Sequence, residues 1–280
     1  MELPAALVGH WPGEREWLAA LPHLAAECAA RWDLSLEEPV ETPHSLVVPA
    51  GEAVLKLNAP SHVEAEHEGD ALAWWSGRGA VRLLARDDAR RALLLERCRP
   101  GTQLTESRED AAPVVACLLA DLRTPVAGAH PFRSLEEEAR RWSEYVLRRY
   151  RLAGRPFERS LLERALAVFA SVDPRAAFLV NADLHGGNVL RARRRPWLVI
   201  DPKPLVGEAE IDGVGLLRNA AWTESPSRAL RQWLAVLAEL GLDRARLVDW
   251  GVAHALAWGW DDARGWLPAQ VAAARTIATL

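Results

Sequence analysis

Residues 178–204, FLVNADLHGGNVLRARRRPWLVIDPKP, decide the fold. The run opens on Phe178, Leu179 and Val180, an apolar triplet that predicts a short buried strand. NADLHGGN (181–188) follows, polar and glycine-bearing, hence a loop. Two β-prone runs, 189–192 and 197–200, flank Arg193, Arg194, Arg195 and Pro196, which predicts a hairpin with a solvated tip. With the turn centred between Arg194 and Arg195, Leu190 faces Val199 and Asn188 faces Asp201. Directly opposed residues on antiparallel strands share a face, with Cα atoms about 4.5–5.5 Å apart. An amide oxygen therefore stands beside a carboxylate, and Asp183 supplies a second carboxylate just upstream. Such hard donors suit Mg²⁺, which takes one or two protein ligands and leaves its other positions to water and phosphate oxygens. The pattern points to phosphoryl-transfer chemistry. His185 invites a metal-ligand role beside Asp183, but no second His lies near enough in sequence for a zinc site.

The bulk properties exclude several classes. The chain has 280 residues, half of them apolar and a quarter charged, as in an ordinary globular protein. A net charge of -4 gives no electrostatic footprint for nucleic acid. Cys28, Cys98 and Cys117 lie far apart without a CxxC pair, so neither a disulfide framework nor a zinc site is expected. The N-terminal run lacks the basic start and apolar core of a signal peptide. No apolar run approaches the roughly 20 residues needed to cross a bilayer. The expected location is cytoplasmic.

Of the 34 Lys and Arg residues only Lys56 and Lys203 are lysines. In a chain so biased to Arg, Lys persists where a compact ammonium is wanted instead of a planar fork. Lys56 lies in a strand, AVLKL (53–57), and Lys203 lies two residues past Asp201.

The spacing Asp183-x-x-x-x-Asn188, a hairpin, then Asp201 resembles the protein-kinase fold. In wording, ADLHGGNVL followed by PWLVIDPKPLVGE is similar to the aminoglycoside-phosphotransferase-like kinases. Within them it resembles the streptomycin 6-phosphotransferase/hydroxyurea phosphotransferase family. The resemblance spans nearly the whole chain and includes ALLLERCRPG (92–101) and Asp212-x-x-x-Leu216-Leu217-Arg218-Asn219. It implies an ATP- and Mg²⁺-dependent O-phosphotransferase acting on a hydroxyl of an aminoglycoside such as streptomycin, with resistance as the outcome. The alternatives are a same-class kinase of an amino sugar or other metabolite, and a nucleotide-binding module without turnover. By resemblance Asp183 is the catalytic base, Asn188 binds metal, and Asp201 binds the metal bridging the phosphates. Lys56 contacts the α and β phosphates, and Asp212 anchors the catalytic loop. Two departures stand out: Asn181 where relatives usually have His, and Pro202-Lys203 after Asp201 in place of Phe-Gly.

The fold expected is α+β, a protein-kinase-like pair of lobes. A small β-sheet N-lobe occupies 1–97, and a larger helical C-lobe with the catalytic hairpin occupies 98–280. Apolar spacing predicts an amphipathic helix over 13–32 and strands near Val40, over 46–48 and over 53–57. The turn at 42–45 takes the place of a phosphate loop, where Ser45 can offer its hydroxyl; a plain hairpin turn is the other reading. A helix is predicted over 62–75, and the resemblance implies that it carries the carboxylate that holds Lys56, Glu68 first, with Glu64 as the alternative on the same helical face. Strands over 80–85 and 92–97 lead to a hinge, with Glu96 and Cys98 placed to meet adenine through backbone groups. Helices are predicted over 108–122, 134–150, 157–172, 212–222, 227–240, 244–262 and 267–278, the second opened by a Ser134/Glu137 capping box. Lys203 is assigned to the γ-phosphate or the acceptor, against a surface role. A cationic acceptor calls for carboxylates, and Glu208, Glu210, Asp261 and Asp262 are the candidates.

Overall fold

The computed structural model describes residues 1–262 and 264–280. The chain divides into two compact units, Met1–Thr102 with Leu190–Asp201, and Gln103–Val189 with Pro202–Leu280. This division falls after Thr102, where the sequence led to a boundary after 97, and Leu190–Asp201, the tip and return strand of the hairpin, group with the sheet unit.

The first unit begins with α1 (Ala5–His10) and α2 (Arg15–Trp32), followed by β1 (Ser45–Ala50) and β2 (Ala53–Asn58). Then come α3 (Glu68–Trp75), β3 (Leu83–Asp87) and β4 (Ala92–Glu96). The four strands form one antiparallel sheet in the order β1-β2-β4-β3. Leu21, Ala25 and Cys28 of α2, at helical spacing, pack with Leu46, Val48, Leu55 and Leu57 of the sheet in one apolar cluster. Because side chains alternate along a strand, burying Leu55 and Leu57 there turns Lys56 and Asn58 to the opposite face. Val40 contributes only an isolated bridge to Val47. The helix expected over 62–75 is shorter. Val63–Ala65 is a 3₁₀ turn and α3 starts at Glu68, so Glu64 lies outside it.

The second unit carries α4 (Ala111–Leu122), β5 (Thr124–Pro125), α5 (Leu135–Leu152), α6 (Arg159–Ala170) and β6 (Phe178–Asn181). The Ser134 hydroxyl accepts from Glu137 N–H at 3.1 Å, closing the capping box at the start of α5. The hairpin strands β7 (Val189–Arg191) and β8 (Trp197–Val199) follow. The chain then enters β9 (Pro204–Gly207), α7 (Val214–Ala220), α8 (Pro226–Glu239) and α9 (Arg244–Ala257). It ends with β10 (Trp260–Asp261), β11 (Gly265–Trp266) and α10 (Pro268–Ala278). Strand β6 lies between β5 and β9, with Asn181 opposite Pro204. From Leu247 to Ala257, α9 is almost wholly buried, the mark of an interior helix.

The helix expected to run to 262 stops at Ala257. A Cβ on Gly259 would stand 3.0 Å from both the Ala255 carbonyl and the Trp266 ring, and its carbonyl takes the Leu267 N–H at 2.7 Å. Trp260–Asp261 and Gly265–Trp266 pair as a short β-ribbon, and Asp261 and Asp262 are not helical. Among the described residues no helix is long and apolar enough to cross a membrane.

Candidate active site

In the first unit a buried chain of polar groups runs across the face of β1 and β2 opposite α2. Ser45 Oγ donates to Asn58 Oδ1 at 2.6 Å, across a register pair. Asn58 Nδ2 donates to Glu68 Oε2 at 3.1 Å. Lys56 Nζ donates to both Glu68 oxygens at 2.8 and 2.7 Å, and to Asp201 Oδ1 at 2.6 Å. Burial alone would depress the Lys56 ammonium, but the Asp201 and Glu68 carboxylates outweigh it and hold its pKa above the ordinary range. The lysine is therefore a fixed cation. Glu68 is its helical partner and is fully buried. Ser45, assigned above to phosphate, instead spends its hydroxyl inside this network, because the first residue of β1 faces Asn58. Asp201 has left-handed backbone, φ 50°, which a non-glycine residue adopts at a cost, so its conformation is imposed by its surroundings.

The hinge residues also serve inward. Glu96 receives Arg194 at Oε1 (2.8 Å) and Oε2 (2.9 Å), its N–H donates to Arg82 O at 2.9 Å, and Arg97 N–H donates to Glu52 O at 2.9 Å. Arg194 also donates to the Gly77 and Ala80 carbonyls. The tip expected to be solvated is thus pinned at its middle arginine, and with it the bridge from Val199 to Ala80. A buried acceptor set of this kind must find a donor, and Arg194 is the donor that the turn presents. Cys98 is buried, which pushes its thiol up to about 12 and leaves it without nucleophilic character.

In the second unit the loop after β6 is held from three sides. Asn181 N–H donates to Asp212 Oδ1 at 2.6 Å. The Asn181 side-chain oxygen accepts from Asp183 N–H (3.2 Å) and Lys203 N–H (3.0 Å), so an amide props this loop. On the remaining side α7 packs on loop backbone so closely that a Cβ on Gly215 would lie 2.4 Å from the Leu184 carbonyl. Asp212 is buried, and its carboxyl is pushed up to about 7 despite the Asn181 bond.

Asp183 is buried, and Arg218 Nη2 donates to its Oδ1 at 2.9 Å. His185 Nε2 lies 3.8 Å from Oδ2, while its Nδ1 accepts from Gly187 N–H at 3.1 Å. Burial raises the Asp183 carboxyl above the usual carboxylate range, and Arg218, His185 and Lys203 oppose this without cancelling it. Lys203 is itself buried, close enough for its charge to be felt at Asp183. Asn188 Nδ2 donates to Asp183 O at 3.2 Å, which leaves the amide oxygen as the group it can offer a cation. Each of these two groups, the Asn188 amide oxygen in the second unit and the Asp201 carboxylate in the first, is by itself a hard donor of the type Mg²⁺ prefers.

Arg218, which pairs with Asp183, is the candidate site residue that pattern reasoning missed. Its signal was present: an arginine within the apolar run VGLLRNAAW, where a buried guanidinium must find an anion. Replacing Arg218 by Ala removes the strongest influence holding the Asp183 pKa down. A base active as carboxylate then needs a higher pH, so the acid limb of the kcat/KM profile is expected to move upward, with Arg218→Lys intermediate. An unmoved limb in both variants would reduce Arg218 to a packing role.

All four carboxylates expected to meet a cationic acceptor already hold a partner. Glu208 takes Arg246 at 2.5 and 2.8 Å, Trp250 Nε1 at 2.8 Å and Asp173 N–H at 2.7 Å. Burial opposes ionisation of Glu208, but these donors win and hold its pKa below the ordinary range. Asp262 pairs with Arg149 at 2.7 Å, and Asp261 accepts from Arg264 N–H at 2.8 Å. Glu210, partly exposed, accepts from Asp243 N–H at 3.0 Å. Glu208 thus acts as a structural knot.

Residues 31–265 match the model of the aminoglycoside/hydroxyurea antibiotic resistance kinases. The chain belongs to that family. It is 35% identical to streptomycin 6-kinase of Streptomyces glaucescens, covering 99% of this chain and 97% of that protein. It is 36% identical to hydroxyurea phosphotransferase of Kitasatospora aureofaciens, over 89% of this chain and 77% of that protein. Among solved structures, choline kinase LicA from Streptococcus pneumoniae matches with a TM-score of 0.65 at 11% identity, covering 93% of this chain and 99% of that one. A thermostable mutant of aminoglycoside phosphotransferase APH(4)-Ia gives 0.59 at 15% identity, over 90% and 97%. The family member described here is therefore a small-molecule kinase with the protein-kinase-like α+β fold, its sheet and its helices concentrated in different units.

Proposed function

We propose that this enzyme transfers the γ-phosphate of ATP to a hydroxyl of a streptomycin-like aminoglycoside, and that the transfer inactivates the drug. The observation that carries the phosphoryl-transfer reading is the buried cluster of Lys56, Glu68 and Asp201. A fixed ammonium beside a conformationally strained carboxylate is what a polyphosphate and its metal require. Whole-length likeness to streptomycin 6-kinases supports the acceptor.

Each residue has a separate task. Asp183 accepts the proton of the acceptor hydroxyl at its carboxylate, in the orientation that Arg218 fixes. Lys56 neutralises the α and β phosphates, with Glu68 holding the ammonium in place. Asp201 and the Asn188 amide oxygen would hold Mg²⁺, which when bound draws charge from the phosphoryl oxygens. Lys203 adds positive charge next to Asp183, where the transferred group must pass.

Purified enzyme with Mg-ATP and a panel of streptomycin, hydroxyurea and glucosamine tests this directly. ADP release that depends on streptomycin supports the proposal. Turnover of glucosamine alone moves the assignment to a sugar kinase, and nucleotide binding without release in any mixture rejects catalysis.

A further inference from the structure

The chain contains 13 tryptophans, and Trp222 is the one aromatic side chain among the exposed large hydrophobic residues, at 47% exposure. It is not a loose surface ring. Its Nε1 donates to Ala269 O at 3.1 Å and its N–H to Asn219 O at 3.1 Å, so both ends of the residue are fastened. It is also one guanidinium away from the chemistry. Arg218 Cζ lies 5.9 Å from the Trp222 ring centre and 4.9 Å from that of Trp258, while Arg218 Nη2 holds Asp183. Leaving so much indole in water forgoes the burial that drives tryptophan inward elsewhere in the chain. Pre-organised exposed aromatic surface beside a catalytic carboxylate has the character of a ligand wall.

We infer that Trp222 is the acceptor-recognition residue, a platform on which a planar cationic group of the substrate, guanidinium foremost, stacks while the neighbouring hydroxyl meets Asp183. This rests on the aminoglycoside reading and deepens it. The face of an indole attracts cations through its quadrupole. The Arg218 charge, which would repel such a group, is compensated by Asp183. Glu224, exposed in the same turn, adds a negative charge nearby. The platform also accounts for how a cationic drug is recognised when Glu208 and Asp262 are already paired with Arg246 and Arg149.

The test combines calorimetric titration of streptomycin, in the presence of Mg-ADP, with steady-state kinetics on wild type, Trp222→Ala and Trp222→Phe. Trp222→Ala is expected to weaken streptomycin binding and raise its KM by about fivefold to thirtyfold. The KM for ATP should stay within about twofold, and Trp222→Phe should recover most of the loss, since the ring is what stacks. Equal streptomycin affinity in wild type and Trp222→Ala overturns the platform and leaves the phosphotransferase reading standing. A parallel rise in both KM values with a lowered melting temperature makes Trp222 a structural prop and also overturns it. Absence of both binding and turnover in wild type removes the acceptor reading and the platform together.

Discussion

Asp183→Asn is expected to lower kcat by about a thousandfold, the middle of the range for a positioned general base. Asn keeps the shape of the side chain and an oxygen for Arg218, so the loop held by Asn181 and Asp212 should be undisturbed. The substitution relieves a desolvated carboxylate but leaves the buried Arg218 guanidinium without its anion, so the melting temperature is expected to fall while the chain still folds. Nucleotide affinity depends on other groups and should persist. Steady-state turnover, ATP titration and a melting curve on the same preparation separate these outcomes. Loss of activity together with loss of folding would make the residue structural, and near-wild-type turnover would remove it from the reaction.

Lys56→Met carries the second large effect, on stability as well as on nucleotide binding. The substitution leaves Glu68 fully buried with Asn58 as its remaining polar partner and Asp201 without its ammonium. Removing one member of a buried pair costs about 3–5 kcal/mol, because the other charge stays buried. The double variant Lys56→Met/Glu68→Gln removes that charge and should regain much of the stability while binding ATP no better than the single one. Urea midpoints and ATP titration for the four proteins of the cycle give the answer. Restored ATP affinity in the double variant would show that Lys56 serves the fold alone.

Local sequence carried a good part of this account. The strand holding Lys56, the loop-and-hairpin around Asp183 and the capping box at Ser134 follow from alternation, spacing and short-range hydrogen bonding, whereas the choice of Glu68 over Glu64 came from the family resemblance, since helical spacing put both on one face. Pairings over long sequence separations did not. Nothing within a few residues of Glu208 indicates that Arg246 and Trp250 will claim it, or that Glu96 will capture Arg194. Periodicity reports which face is buried, and it is silent on which distant donor a buried carboxylate meets. Ser45 shows the same limit at short range, since its hydroxyl was expected to aim at phosphate from a turn and the register of β1 with β2 gives it Asn58 as a partner. The end of α9 was missed because the steric need for a glycine at 259 arises from Trp266, which lies on the return of the ribbon.

The central claim is that a phosphoryl group leaves ATP and arrives on the acceptor. Mass spectrometry of streptomycin after incubation with enzyme and Mg-ATP, with ADP quantified in the same tube, reads both ends of the transfer. One added phosphoryl group on the drug is expected for each ADP formed. ADP accumulating beside unmodified streptomycin would contradict it.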